Sequence, residues 1–230
     1  MYFQHSGEIW RDYPELVAGV LFAEGIDKDV SVGDRAARFQ FIAADRLAST
    51  SEAELAEIQA WRRAFARMRL KPTQYRCASE SLLRRFKREQ SLPQIHPLVD
   101  LCNAISMAFA IPVAILDVSH VTEGIDVRYA IGSERYETFA GDIEHPAVDE
   151  VIFADRTGNA HARRWTNRQS ASSAVRDTTN AVLIVVEAMH ASALSDVQRL
   201  IATIADEMHA IWDITPKTAM LSPSSSRFEF

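Results

Sequence analysis

Cysteine and glycine are scarce in this chain. Cys77 and Cys102 are the only cysteines in 230 residues, and they form no C-x-x-C pair. That argues against a structural zinc site and for free thiols in a reducing cytoplasm. Only eight glycines occur, and neither a P-loop nor a G-x-G-x-x-G turn is among their settings. A glycine-rich phosphate cradle is therefore not expected. G-x-S-x-G and H-E-x-x-H are missing as well, which removes the common serine-hydrolase and zinc-protease signatures. The seven histidines are scattered, with no i,i+3 or i,i+4 pair on a helix. Neither a metal nor another cofactor is expected. The longest apolar runs, 104–116 and 181–189, fall short of the roughly 20 residues of a membrane span. The opening "MYFQHSGEIWRDY" has no apolar core of a secretory signal. The expected setting is cytoplasmic, with no membrane partner.

Charge is present in quantity and unevenly placed. The chain carries a formal net charge of −6, yet residues 62–88 hold ten lysines and arginines against one acid, Glu80. Residues 1–61 hold eleven acids against five bases. An acidic whole argues against unspecific polyanion binding, so no DNA partner is expected. The basic segment argues for one local phosphate-facing surface. Arg62, Arg63, Arg67, Arg84, Arg85 and Arg88 are its candidate contacts. The competing reading is that these arginines pair with the acidic N-terminal part.

Periodicity predicts strand at 15–26 and helices at 32–48 and 49–68. The second helix opens on Ser51 and Glu54, a capping-box spacing. Its Leu55, Ile58, Trp61, Phe65 and Met68 step by three and four, so one face is buried. Helices follow at 78–89 and at 97–111, the latter with Pro97 in its first turn and Pro112 as its stop. From Val113 the texture changes to short β-branched runs: 113–119, 124–132, 135–140, 150–158, 160–166 and 181–189. Helix 196–212 closes the series, and 213–230 lacks periodicity and reads as a mobile tail. Runs of helices followed by runs of strands predict an α+β fold with mainly antiparallel sheets. The expected organisation is an N-terminal strand and helices over 1–69 packed on a main domain over 70–212, then a flexible tail over 213–230.

The stretch "RRWTNRQS", 163–170, places three arginines around a tryptophan. On a strand, His161, Arg163, Trp165 and Asn167 share one face. Trp165 and Arg163 then either stack and grip a flat anionic group, or anchor a core with snorkelling arginines. On helix 97–111, Asp100, Asn103 and Ser106 recur at spacings of three beside Cys102. They either satisfy a neighbouring loop or face a pocket. His96 and His120 flank elements where either could line one.

The ordered set "VD-x-x-N", "P-x-x-x-x-D", "G-x-x-V-R-x-A" and "ADRTG", over about 70–190, resembles the B3/B4 domain of the phenylalanyl-tRNA synthetase beta subunit. It is most similar to the freestanding bacterial proteins built around that domain, to which "RRWTNRQS" adds a specific mark. The synthetase domain hydrolyses tyrosine wrongly esterified to its tRNA. The resemblance implies a B3/B4 fold: an α+β arrangement with flanking helices, an unusual β-sandwich and a pocket for an aminoacyl-adenosine. It also implies a tRNA partner bound by its aminoacylated acceptor end. Cys102, Asn103, Ala114, Trp165, Arg168, Gln169 and Ser170 would contact the substrate. Asn103, Arg163 and Glu187 would carry catalysis, polarising the carbonyl or placing water. This sequence departs from the synthetase at Ala114, where the family has His, at Cys102, where it has Thr, and in the basic turn that replaces Gly-Gly. The implied activity is trans-editing deacylation of mischarged aminoacyl-tRNA. The alternatives are a non-catalytic tRNA, amino-acid or nucleotide binder, and a domain that docks an acidic protein.

Overall fold

Two β-sheets face each other, and the chain's first and last residues are woven into both. The computed structural model describes residues 1–230. Its elements are β1 (Tyr2–His5), α1 (Gly7–Asp12), β2 (Val17–Glu24), α2 (Gly33–Ser49), α3 (Ala56–Arg67), α4 (Ala78–Glu89) and α5 (Pro97–Phe109). There follow β3 (Val113–Asp117), β4 (Gly124–Tyr129), β5 (Tyr136–Glu137), β6 (Ile143–Glu144), β7 (Val151–Asp155), β8 (Ala160–Arg163) and β9 (Arg168–Gln169). The series closes with β10 (Ala181–Ala188), α6 (Ala193–Trp212), β11 (Lys217–Leu221) and β12 (Arg227–Glu229). One sheet runs β12-β1-β4-β7-β8-β9 and the other β11-β2-β10-β3. Every pairing in them is antiparallel except β1 with β4. The fold is α+β.

Local chemistry explains the elements. Ser51 and Glu54 do form a capping box, but it closes a single 3-10 turn at Glu52–Glu54, and α3 starts after it. Ile58, Trp61 and Phe65 of α3 are fully buried, as the stepping by three and four requires. α4 ends on Gln90 in the left-handed region, φ 58°. β10 reads as an unbroken apolar run because both its faces are covered. One face meets the first sheet, where Phe3, Trp61, Phe65, Phe153, Trp165, Leu183 and Val185 form the larger core. The other face meets α5 and α6, where Leu98, Cys102, Ile105, Ile184, Val197 and Ile204 form the second.

Two expectations are corrected and one is extended. The segment 213–230 is no mobile tail: β11 pairs with β2 and β12 with β1. Phe230 stacks on Phe22 with ring centroids 4.7 Å apart, and the Met1 ammonium donates to its carbonyl at 2.6 Å. The portion 1–69 does more than pack on 70–212, since β1 and β2 hydrogen-bond into the sheets with strands from the second half of the chain. Strand 160–166 stops at Arg163, because Arg164 and Trp165 adopt positive φ, 48° and 56°. Such residues cost about 1–3 kcal/mol each and persist only where the surroundings hold them.

Candidate functional site

The alternation of β10 puts Leu183, Val185 and Glu187 on one face, towards the first sheet. Ala114 of β3 sits opposite Val185 in the ladder. Across the gap stands the turn that follows β8. Its Trp165 is fully buried and lies edge-on to Tyr13 at 4.8 Å and to Trp61 at 5.2 Å. The positive φ values are held from behind: Arg164 N–H donates to Glu150 Oε1 at 3.0 Å, and Trp165 N–H donates to the Val151 carbonyl at 2.8 Å. Together Ala114, Trp165, Asn167, Arg168, Gln169 and Glu187 line a cleft between the sheets. Its volume is about 70 Å³, room for a water or two at about 30 Å³ each. Small-molecule pockets usually offer about 300 Å³ or more, so this cleft is well below that size.

Glu187 is the chemically distinctive group. It is 2% exposed, and its Oε1 receives the Trp165 indole N–H at 2.9 Å. His5 Nε2 lies 2.6 Å from the same oxygen. Oε2 accepts no hydrogen bond from the protein. A buried carboxylate of this kind depends on its donors, because desolvating an unpaired charge is costly. His5 Nδ1 has no partner among Phe3 and Trp10, which pack on the ring. With no acceptor there, the proton belongs on Nε2, which then donates to Glu187.

The other expected site residues are dispersed. Arg163 does not line the cleft. It is 5% exposed and grips Glu150 with two bonds, at 2.8 and 3.0 Å, while also pairing with Glu144. Cys102 and Asn103 lie on α5, across β3 and β10 from the cleft. Burial pushes the Cys102 thiol up to about 12 and the Cys77 thiol up to about 11, so neither is a nucleophile at neutral pH. Ser170 is fully buried and donates to the Glu137 carbonyl at 2.9 Å, a structural bond. Gln169 donates to the Ile115 carbonyl at 2.6 Å. Arg168 stands at the mouth, half-exposed, over the Tyr136 ring at 5.4 Å and paired with Glu144 at 3.3 Å.

Much of the basic segment is paired. Arg62 bonds Glu80 at 2.6 and 3.2 Å, Arg67 pairs with Glu15, and Arg84 reaches Glu52 at 3.0 Å. Arg85 and Arg88 both meet Glu89. Arg63 is exposed. On the outer face of α4, Arg84, Arg85, Lys87 and Arg88 thus outnumber their partners Glu52 and Glu89. No helix is long and apolar enough to cross a membrane, and no three His, Cys, Asp or Glu side chains converge as a metal site.

His5 is the contributor that sequence reasoning missed. Nothing in "YFQHSG" signals that its fourth residue will meet a glutamate 182 positions away.

The fold and cleft define a two-sheet α+β protein with a buried carboxylate between its sheets. Residues 60–210 match the family model of the B3/4 domain, and the chain belongs to that family. Among curated proteins no match is found. Among solved structures the chain is similar to an N-terminal fragment of the phenylalanyl-tRNA synthetase beta-subunit from Pyrococcus horikoshii. Identity is 9% and the TM-score 0.47, over 95% of this chain and 53% of that one. The chain thus spans about half the length of that fragment.

Proposed function

We propose that the protein hydrolyses the ester joining an amino acid to the 3′ end of tRNA, in the cleft between its two sheets. Membership in the B3/4 family and the resemblance to the synthetase editing domain support a tRNA-related role. The observation that carries the chemistry is Glu187, with one oxygen held by His5 and Trp165 and the other unengaged at the cleft.

In this reading, water in the cleft attacks the ester carbonyl. Glu187 Oε2 accepts the water proton as the carbon–oxygen bond forms. The tetrahedral intermediate then collapses, and the ribose oxygen leaves with a proton returned by Glu187. Arg168 at the mouth takes the terminal phosphate or the developing oxyanion. Ala114 stands where the synthetase has a histidine, so in this reading the water is positioned by Glu187. The narrow cleft favours small aminoacyl groups over aromatic ones. The outer face of α4 meets the acceptor-stem phosphates, since exposed ion pairs of about 0–1 kcal/mol yield readily to a polyanion.

One observation favours a second reading. A cleft of about 70 Å³ is smaller than most substrate pockets, as a non-catalytic tRNA binder would have it. A panel of correctly and incorrectly charged aminoacyl-tRNAs separates the two. Accelerated deacylation that falls in Arg168→Ala supports hydrolysis. Filter retention that weakens with salt, without any acceleration, supports the binder. Absence of both refutes any tRNA role.

A further inference from the structure

The outward face of α2 has no partner within the chain. The helix lies on α5, with Ala36 and Ala43 buried and Phe39 against the second core. Arg46 ties it down by donating to the Ala108 carbonyl of α5 at 2.9 Å. On the opposite side Ala37, Phe41, Ala44 and Ala48 recur at i, i+4, i+7 and i+11, one stripe along the helix. All four are exposed. Phe41, at 75%, is the most exposed large apolar side chain of the protein, and the adjacent Ile42 is 45% exposed.

A surface helix ordinarily turns charged and polar residues to water. Here a phenyl ring and an isoleucine stand there instead, at the middle of the helix, with alanines one turn to either side. Single exposed apolar residues need no explanation, but a contiguous apolar face points to a contact.

The charges that flank this stripe say what fits it. Arg38 and Asp45 are seven residues apart on the same side of Phe41, two turns or about 10 Å along the axis. Of the charged residues of α2, Arg35 and Arg38 pair with Glu207 and Arg46 with Glu57, whereas Asp34 and Asp45 pair with no cation. Arg38 is held loosely, at 3.3 Å from a carboxylate that Arg35 already binds at 2.6 Å, so it is released at little cost. An anionic lipid surface does not suit the face, because Asp34 and Asp45 stand on it. The pattern is complementary to itself when the helix is reversed. About a centre between Phe41 and Ile42, Arg38 falls opposite Asp45, and Asp34 falls opposite Ser49. In a parallel pair Arg38 would meet Arg38 and Asp45 would meet Asp45, which like-charge repulsion disfavours.

We propose that this face binds a second copy of the chain, α2 against α2, antiparallel about a two-fold axis between Phe41 and Ile42. Each Phe41 ring lies on the partner's Ile42, and Ala37 and Ala44 leave room for it. Arg38 pairs with the partner's Asp45 twice, as an isologous contact requires. A helix of 17 residues is about 25 Å long, so the contact is smaller than the roughly 1,200 Å² of stable complexes. The dimer is therefore weak, with a dissociation constant on the order of 10–100 μM. α5 and the second sheet stand between this face and the cleft, and the dimer does not depend on hydrolysis there.

Sedimentation velocity of the full chain from about 1 to about 500 μM tests it. The mass rises with concentration from the 25.8 kDa of one chain towards twice that value. Phe41→Glu remains monomeric throughout, with an unchanged thermal midpoint at low concentration. Arg38→Asp and Asp45→Arg, each setting like charges together twice, weaken association about tenfold or more. The double variant, with both substitutions, restores it, because the exchanged charges are again complementary. The proposal is overturned if the wild-type chain stays monomeric to the highest concentration, as it would if the face served another partner. It is also overturned if folded Phe41→Glu associates like wild type, or if the double variant associates no better than either single one.

Discussion

Arg163→Ala is expected to destabilise the protein by about 3–5 kcal/mol, the cost of stranding one partner of a buried ion pair. The Glu150 side chain is 7% exposed and takes both Arg163 bonds, at 2.8 and 3.0 Å. Removing the guanidinium leaves that carboxylate with only the N–H groups of Arg164 and Ala147 and a distant Arg164 side chain. The pH dependence follows from the same pair. Burial pushes the Glu150 carboxyl up, but the Arg163 hydrogen bonds and charge outweigh it and hold it below its ordinary 4.5. The folded value is depressed, so this contribution is complete above the unfolded value and is lost as pH falls through the folded one. The deficit of the variant is therefore largest near neutrality and shrinks once pH drops below 4.5. Urea unfolding followed by tryptophan fluorescence, at neutral pH and at about pH 4, reads both effects. The double variant Arg163→Met with Glu150→Gln should lose less than Arg163→Ala, because no charge is left buried. A loss under about 1 kcal/mol at neutral pH, the value of an exposed pair, would refute the structural role and return Arg163 to the ligand.

Gly19→Ala should destabilise by about 1–3 kcal/mol, because the added methyl would sit 1.9 Å from Ile201 Cδ1 where α6 packs on β2. Thermal unfolding checks it, and an unchanged midpoint would mean that α6 does not press on this strand. Cys77 and Cys102 should resist alkylation in the folded protein and react fully in denaturant. Rapid labelling of either by a thiol reagent at neutral pH would contradict their burial. Replacing Arg84, Arg85 and Arg88 by alanine should weaken tRNA retention at low salt. It should also flatten the log–log salt dependence by about 0.7–0.9 for each phosphate no longer neutralised. An unchanged slope would move the RNA surface off α4.

The regular elements are legible in the sequence because their patterns are local. α4 stands at 78–89, where Leu83 and Phe86 turn inward and the bases outward. β10 announces itself as a continuous apolar run. The terminal strands are not legible, because β1, β11 and β12 are short pieces held by pairing with distant partners rather than by any period of their own. The site is partly legible. Family order brings Ala114, Trp165, Arg168, Gln169 and Glu187 to one cleft. It also groups Asn103 with them, although α5 packs on the opposite face of the sheet. In "RRWTNRQS" a strand alternation would align Arg163 with Trp165. Two left-handed residues break it, sending Trp165 inward to Glu187 and leaving Arg163 on the buried Glu150 carboxylate and the part-exposed Glu144. Backbone of this kind in non-glycine residues leaves no mark in composition or spacing.

In the proposed mechanism hydrolysis in the cleft depends on Glu187, and single-turnover deacylation of mischarged tRNA by wild type and Glu187→Gln puts that dependence to the test. Glutamine keeps an acceptor for the Trp165 indole but cannot take the proton from water. The expected rate is about 10²–10⁴-fold lower, with tRNA retention and thermal midpoint unchanged. A folded Glu187→Gln variant that deacylates as fast as wild type would contradict a catalytic Glu187.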